Sequence, residues 1–166
     1  MKSKKGLNQF KPKKNIIILS VFVLLSLYGC TFCQQSLLHD GRARTYLLHL
    51  PVAYDSETPV PLVIVLHGGG GNPGNAQNMT GMNEKANAKG FIAVYPAGSG
   101  VFTNSLLTWN AGFCCKYSLE NSIDDVGFIR TLIEELQTRY TIASDQIYIT
   151  GLSNGGMQNC PILLQQ

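Results

Sequence analysis

The chain has 166 residues, 45% of them apolar and only 14% charged, against a usual charged share of about 25%. That length and composition fit one domain and exclude a disordered polypeptide, because too many side chains require burial. The net charge of +3 is misleading: six of thirteen basic residues fall at Lys2, Lys4, Lys5, Lys11, Lys13 and Lys14, so residues 31–166 carry a net −3. A mildly acidic body excludes nucleic acid as a partner.

The Lys-rich start runs into Ile16–Tyr28, thirteen residues without a charge. A membrane-spanning helix needs about 20 apolar residues. A basic start, a short apolar stretch and small residues after it describe a secretory signal peptide over residues 1–30. Leu27-Tyr28-Gly29-Cys30 also resembles a lipoprotein signal, with Cys30 as the lipidation candidate, although Tyr28 fits that motif poorly. A lipid on Cys30 is the only membrane attachment the sequence offers. Either route leads out of the cytoplasm, where thiols oxidise. Cys33, Cys114, Cys115 and Cys160 then become disulfide candidates, and the pairing stays open. No second Cys/His pair stands at zinc spacing from Cys114-Cys115, and no metal is expected.

In the body, residues 44–50 are β-prone and end at Pro51. Leu62-Val63-Ile64-Val65-Leu66 is an apolar run without polar alternation, as in a parallel strand covered on both faces. A helix is expected around 76–89, presenting Met79, Met82 and Ala86 together and stopping at Gly90. Residues 91–95 form a second buried strand. Residues 96–121 show no period and read as a long loop, a feature that is usually functional or stapled. Ser122-x-x-Asp125 opens a helix in the manner of a capping box, along which Val126, Ile129, Ile133, Leu136 and Tyr140 recur at helical spacing. Gln146–Thr150 is a third buried strand. Strands alternating with helices predict a parallel α/β sheet with helices on both faces.

Two glycine motifs bear on chemistry. Gly69-Gly70-Gly71-Asn72-Pro73-Gly74 matches G-x-G-x-x-G between a strand and a helix, the pattern of a dinucleotide site. The acidic residue such a site needs after the next strand is absent, for Pro96, Ala97 and Gly98 stand there, and no nucleotide cofactor is expected. Gly151-Leu152-Ser153-Asn154-Gly155 follows the third strand and matches G-x-S-x-G, the tight turn that projects a nucleophilic serine from a sheet edge. Asn154 N–H at the following helix start suits developing negative charge. A second donor is expected from His67-Gly68-Gly69-Gly70-Gly71, through Gly69 or Gly70. His67 precedes the serine on the wrong strand to serve as its base, and reads as structural.

Leu66-His67-Gly68-Gly69-Gly70-Gly71-Asn72, Thr108-Trp109-Asn110-Ala111-Gly112 with Cys114-Cys115, Asp124-Asp125-Val126-Gly127-Phe128-Ile129 and Gly151-Leu152-Ser153-Asn154-Gly155-Gly156-Met157 occur in this order. Together, over residues 42–157, they resemble the secreted esterase family that includes polyhydroxybutyrate depolymerases, feruloyl esterases and acetylxylan esterases. The resemblance implies an α/β-hydrolase fold, a Ser-Asp-His triad with Ser153 as nucleophile, no metal, and polymeric or plant cell-wall esters as substrates. It also places Trp109 in a loop near the active site, a candidate substrate contact. Asp124 and Asp125 match as well, with helix capping as their simpler role.

The chain departs from the family after the serine. Asn154–Gln166 contains no Asp, Glu or His, so the triad acid and base are missing, and Pro161 interrupts a helix that should continue. A chain truncated after the nucleophile turn explains both departures. Ile147 and Ile149 would then lie on an unpaired apolar edge, a template for aggregation. The rival reading is a non-catalytic exported domain that binds polyester or polysaccharide through the Trp109 loop.

Overall fold

The computed structural model describes residues 34–163, with side chains through Gln158. The expected signal segment, Cys30 and Cys33 lie outside the described residues. Five strands, β1 (Gln35–His39), β2 (Arg42–His49), β3 (Val60–Leu66), β4 (Ile92–Pro96) and β5 (Ile142–Gly151), form one sheet in the order β1-β2-β4-β3-β5. The helices are α1 (Pro73–Thr80), α2 (Met82–Lys89), α3 (Lys116–Glu120), α4 (Asp125–Arg139) and α5 (Asn154–Leu163). None is long and apolar enough to cross a membrane.

The sheet is mixed rather than wholly parallel. β3 lies parallel to β4 and to β5, whereas β1–β2 and β2–β4 are antiparallel. The antiparallel side begins with a hairpin through Asp40 and Gly41, both at positive φ. Side chains alternate across a strand, and β3 and β4 use both faces. Leu62, Ile64, Leu66, Ile92 and Val94 pack with Phe128, Ile129, Leu132 and Leu136 of α4. Val65, Ala93 and Tyr95 face Ala76 of α1 and Ala86 of α2 on the other side. Helices therefore cover both faces.

Several local expectations change. The single helix over 76–89 is two, because Gly81 takes the left-handed conformation that ends α1 and begins α2. That turn swings Met79 out to 69% exposure. Helix α4 is capped by Asp124, whose carboxylate accepts the Gly127 N–H at 2.9 Å, rather than by Ser122, which stands at φ +48°. Its buried stripe is Phe128, Ile129, Leu132 and Leu136, with Val126, Ile133 and Tyr140 at the flank. Helix α5 passes Pro161 and runs to Leu163. Strand β5 begins at Ile142, pairs with β3 and stands at the sheet edge.

Candidate active site

Ser153 sits between the end of β5 and the first residue of α5, with φ at +50°. A non-glycine residue in this region costs of order 1–3 kcal/mol and persists only where its surroundings enforce it. Here close packing enforces it. A Cβ on Gly155 would lie 2.5 Å from the His67 carbonyl oxygen and 2.8 Å from that of Leu66, and a Cβ on Gly151 would lie 2.6 Å from the Gly155 carbonyl carbon. The first turn of α5 is thereby pressed against the end of β3, and Leu152 N–H donates to the Leu66 carbonyl at 3.2 Å. The expected strand–serine–helix turn is the local structure.

A cavity of about 670 Å³ opens over this turn, lined by Ser153, Asn154, Gly69 and Gly70, with Phe102, Leu106 and Tyr117 among the side chains opposite. The two candidate glycines differ in their amides. Gly70 N–H donates to the Leu107 carbonyl at 2.8 Å, so it is committed within the loop and is not the second donor. Among the described residues Gly69 N–H and Asn154 N–H have no hydrogen-bond acceptor, and both belong to residues that line the cavity.

His67 is structural. Gly98 N–H donates to its Nε2 at 3.0 Å, and because a backbone amide only donates, Nε2 carries no proton. Nδ1 then holds the proton and donates to the Gly68 carbonyl at 2.8 Å. The ring is 2% exposed, and burial pushes its pKa below the ordinary value of 6.5, partly opposed by the bond to Gly68. Both nitrogens are used, which leaves none to take a proton from Ser153. No histidine or aspartate lines the cavity among the described residues; Lys116 and Glu120 are its charged side chains.

Trp109 is not a substrate contact. It is fully buried, its ring 5.0 Å from that of His67 and its indole N–H donating to the His67 carbonyl at 2.9 Å. Its backbone N–H donates to Asn154 Oδ1 at 2.7 Å, and its carbonyl accepts from Asn154 Nδ2 at 3.0 Å. The burial of Asn154 and its clamp on the loop were invisible to motif reading, because the loop lacks the periodicity that reveals helices and strands. The expected tether of that loop also differs. Cys114 is paired with its neighbour Cys115, and a bond between adjacent residues closes no loop. Side-chain bonds hold the segment instead: the Ser118 hydroxyl donates to the Thr108 carbonyl at 2.7 Å, and Asn110 N–H donates to Asp125 at 2.8 Å. Cys160 takes no part in that disulfide, and its side chain lies outside the described residues.

Likeness to solved structures shows the architecture. An acetyl xylan esterase from Aspergillus awamori superposes with a TM-score of 0.59 at 17% identity, over 78% of this chain and 46% of that one. The fold is that of the α/β-hydrolases. In sequence the chain is related to esterases. It is 32% identical over 118 residues to the protein named "Putative esterase NocK" from Nocardia uniformis subsp. tsuyamanensis, covering 70% of this chain and 33% of that protein. It is 28% identical over 97 residues to the bifunctional acetylxylan esterase/xylanase XynS20E of Neocallimastix patriciarum, covering 58% of this chain and 12% of that one. The chain thus spans a minor part of both relatives. No family model matches it.

Proposed function

We propose that this chain carries the nucleophile part of an exported serine carboxylic-ester hydrolase acting on polyester or plant cell-wall esters. The observation that carries the reading is the placement of Ser153 at positive φ on the α/β-hydrolase turn, beside two amides, Gly69 and Asn154, that have no acceptor among the described residues. Backbone N–H groups at such a place stabilise the oxyanion of a tetrahedral intermediate, and losing one donor costs about 2.7–4 kcal/mol of transition-state stabilisation. The start of α5 adds the positive end of its dipole. Kinship with acetylxylan esterase sequence supports acetyl esters of polysaccharides as substrates. The polyester option rests on the family resemblance of the motifs.

In this reading the Ser153 oxygen bonds to the ester carbonyl carbon while its proton passes to a base. The carbon–oxygen bond to the alcohol then breaks, the alcohol leaves with that proton, and water releases the acyl group from Ser153. The family resemblance assigns the proton to a histidine oriented by an aspartate, and no such pair follows Ser153 in this sequence. His67 does not replace it, since both its nitrogens are bound. The Lys-rich start and the apolar run to Tyr28 support export, by an ordinary signal or with a lipid on Cys30.

The test is reaction with a fluorophosphonate, in which the serine oxygen bonds to phosphorus and fluoride leaves. Covalent labelling on Ser153, abolished by Ser153→Ala, is the expected result. Labelling that survives Ser153→Ala overturns the assignment. The non-catalytic polymer-binding reading loses its basis in Trp109, whose indole faces the protein interior.

A further inference from the structure

We infer that Leu107–Trp109 is the gauge that sets the two oxyanion donors relative to each other, with the Asn154 side chain and the Trp109 indole as positioning residues. The inference rests on the reading of Ser153 as nucleophile. The two donors come from segments far apart in sequence, the glycine loop after β3 and the first turn of α5. Catalytic constellations must be held within about 0.5 Å, and a misplacement of about 1 Å can cost 10²-fold in rate. A run of four glycines has the most backbone freedom of any sequence, so Gly69 requires an external hold.

That hold converges on Leu107 and Trp109. On the glycine loop, Gly70 N–H donates to the Leu107 carbonyl at 2.8 Å, and Leu107 N–H donates to the Gly71 carbonyl at 3.3 Å. On the residue preceding the loop, the His67 carbonyl accepts the Trp109 indole N–H at 2.9 Å. Gly69 is thus pinned from both sides by one short segment. The same segment holds the elbow: Asn154 accepts Trp109 N–H at 2.7 Å and donates to the Trp109 carbonyl at 3.0 Å. An asparagine at a helix start commonly turns its side-chain oxygen onto the helix's own amides. Asn154 instead spends its carboxamide on Trp109, while its own N–H has no acceptor among the described residues. With Asn154 2% and Trp109 0% exposed, solvent does not compete for these bonds.

Fluorophosphonate labelling of the 166-residue chain tests this, reading the limiting rate and the half-saturating probe concentration separately, with thermal midpoints alongside. Asn154→Ala and Trp109→Phe should each slow the limiting rate at least tenfold and leave half-saturation within twofold, because probe binding does not need the donors aligned. Asn154→Asp keeps the acceptor for Trp109 N–H and should recover part of the loss. Should Asn154→Ala fail to fold, Asn154→Asp and Trp109→Phe decide. Labelling of both variants within twofold of the parent rate, still dependent on Ser153, overturns the gauge and leaves the nucleophile standing. An unlabelled parent chain, or labelling that ignores Ser153→Ala, overturns the nucleophile reading and this inference with it.

Discussion

Arg44 Nη2 lies 2.6 Å from Asp125 Oδ1 in the interior, with the side chains 4% and 0% exposed. The guanidinium also donates to the Ala97 carbonyl at 3.1 Å and lies 3.9 Å over the Phe128 ring, while Asp125 Oδ2 accepts Asn110 N–H. Burial drives Asp125 up from the ordinary carboxylate value and Arg44 down, and their mutual attraction opposes both shifts. Removing one member of such a pair strands a buried charge, at about 3–5 kcal/mol. Arg44→Met should therefore destabilise the domain by that amount in denaturant titration. The double variant Arg44→Met/Asp125→Asn should lose markedly less than the sum of its parts.

Acid should weaken the fold through His67. Its folded pKa is depressed by burial, so its contribution is fully present above the unfolded value near 6.5 and is lost as pH falls through the folded value. Below about pH 6.5 the unfolded chain takes up a proton that the folded chain refuses. Thermal midpoints measured from pH 7.5 to 5 should fall on the acid side. The His67→Gln variant should have a lower midpoint at pH 7.5 and a shallower acid slope. An unchanged slope would assign the acid sensitivity to other groups.

Gln158 of α5 is fully buried, and among the described residues neither its Oε1 nor its Nε2 has a hydrogen-bond partner. A buried amide left unpaired costs about 1–3 kcal/mol. Gln158→Met keeps the length of the side chain and removes both polar atoms. The expected result is a gain of about 1–3 kcal/mol, seen as a higher denaturant midpoint with an unchanged slope.

Gly155 admits no side chain. Its Cβ would stand 2.5 Å from one carbonyl oxygen and 2.8 Å from another, both backbone atoms of the β3 end. Gly155→Ala should push α5 off β3 and cost several kcal/mol, of the order seen for overpacked or strained sites. Circular dichroism and fluorophosphonate labelling should be lost together. Gly41→Ala gives the contrast: its Cβ meets nothing within 4 Å, and only the positive φ of +69° opposes it.

The sheet and the elbow were legible because each has a local signal. Leu62–Leu66 and Phe91–Tyr95 announce buried strands by composition, and G-x-S-x-G fixes its own turn. β1 was missed because its five residues present one inward side chain, Leu37, beside an exposed Leu38. The choice between Gly69 and Gly70 was not legible, since it turns on a bond to Leu107 across the loop. Trp109 misled for a different reason. The family resemblance sets its loop near the active site, and only its contact with His67 shows that the ring fills the interior.

The sheet order also bears on how the chain acquires its structure. The β1–β2 hairpin closes over a two-residue turn, whereas β2 completes its other edge only by pairing Leu48 with Val94, and β3 waits for Ile147. Contacts of such long sequence separation require closure of large loops before any pairing is rewarded, which slows folding. Until β5 is made, β3 has its partner on one side alone and Ser153 has no platform. A chain emerging from its N-terminus would therefore hold an unfinished sheet until β5 follows, and the elbow cannot form before then.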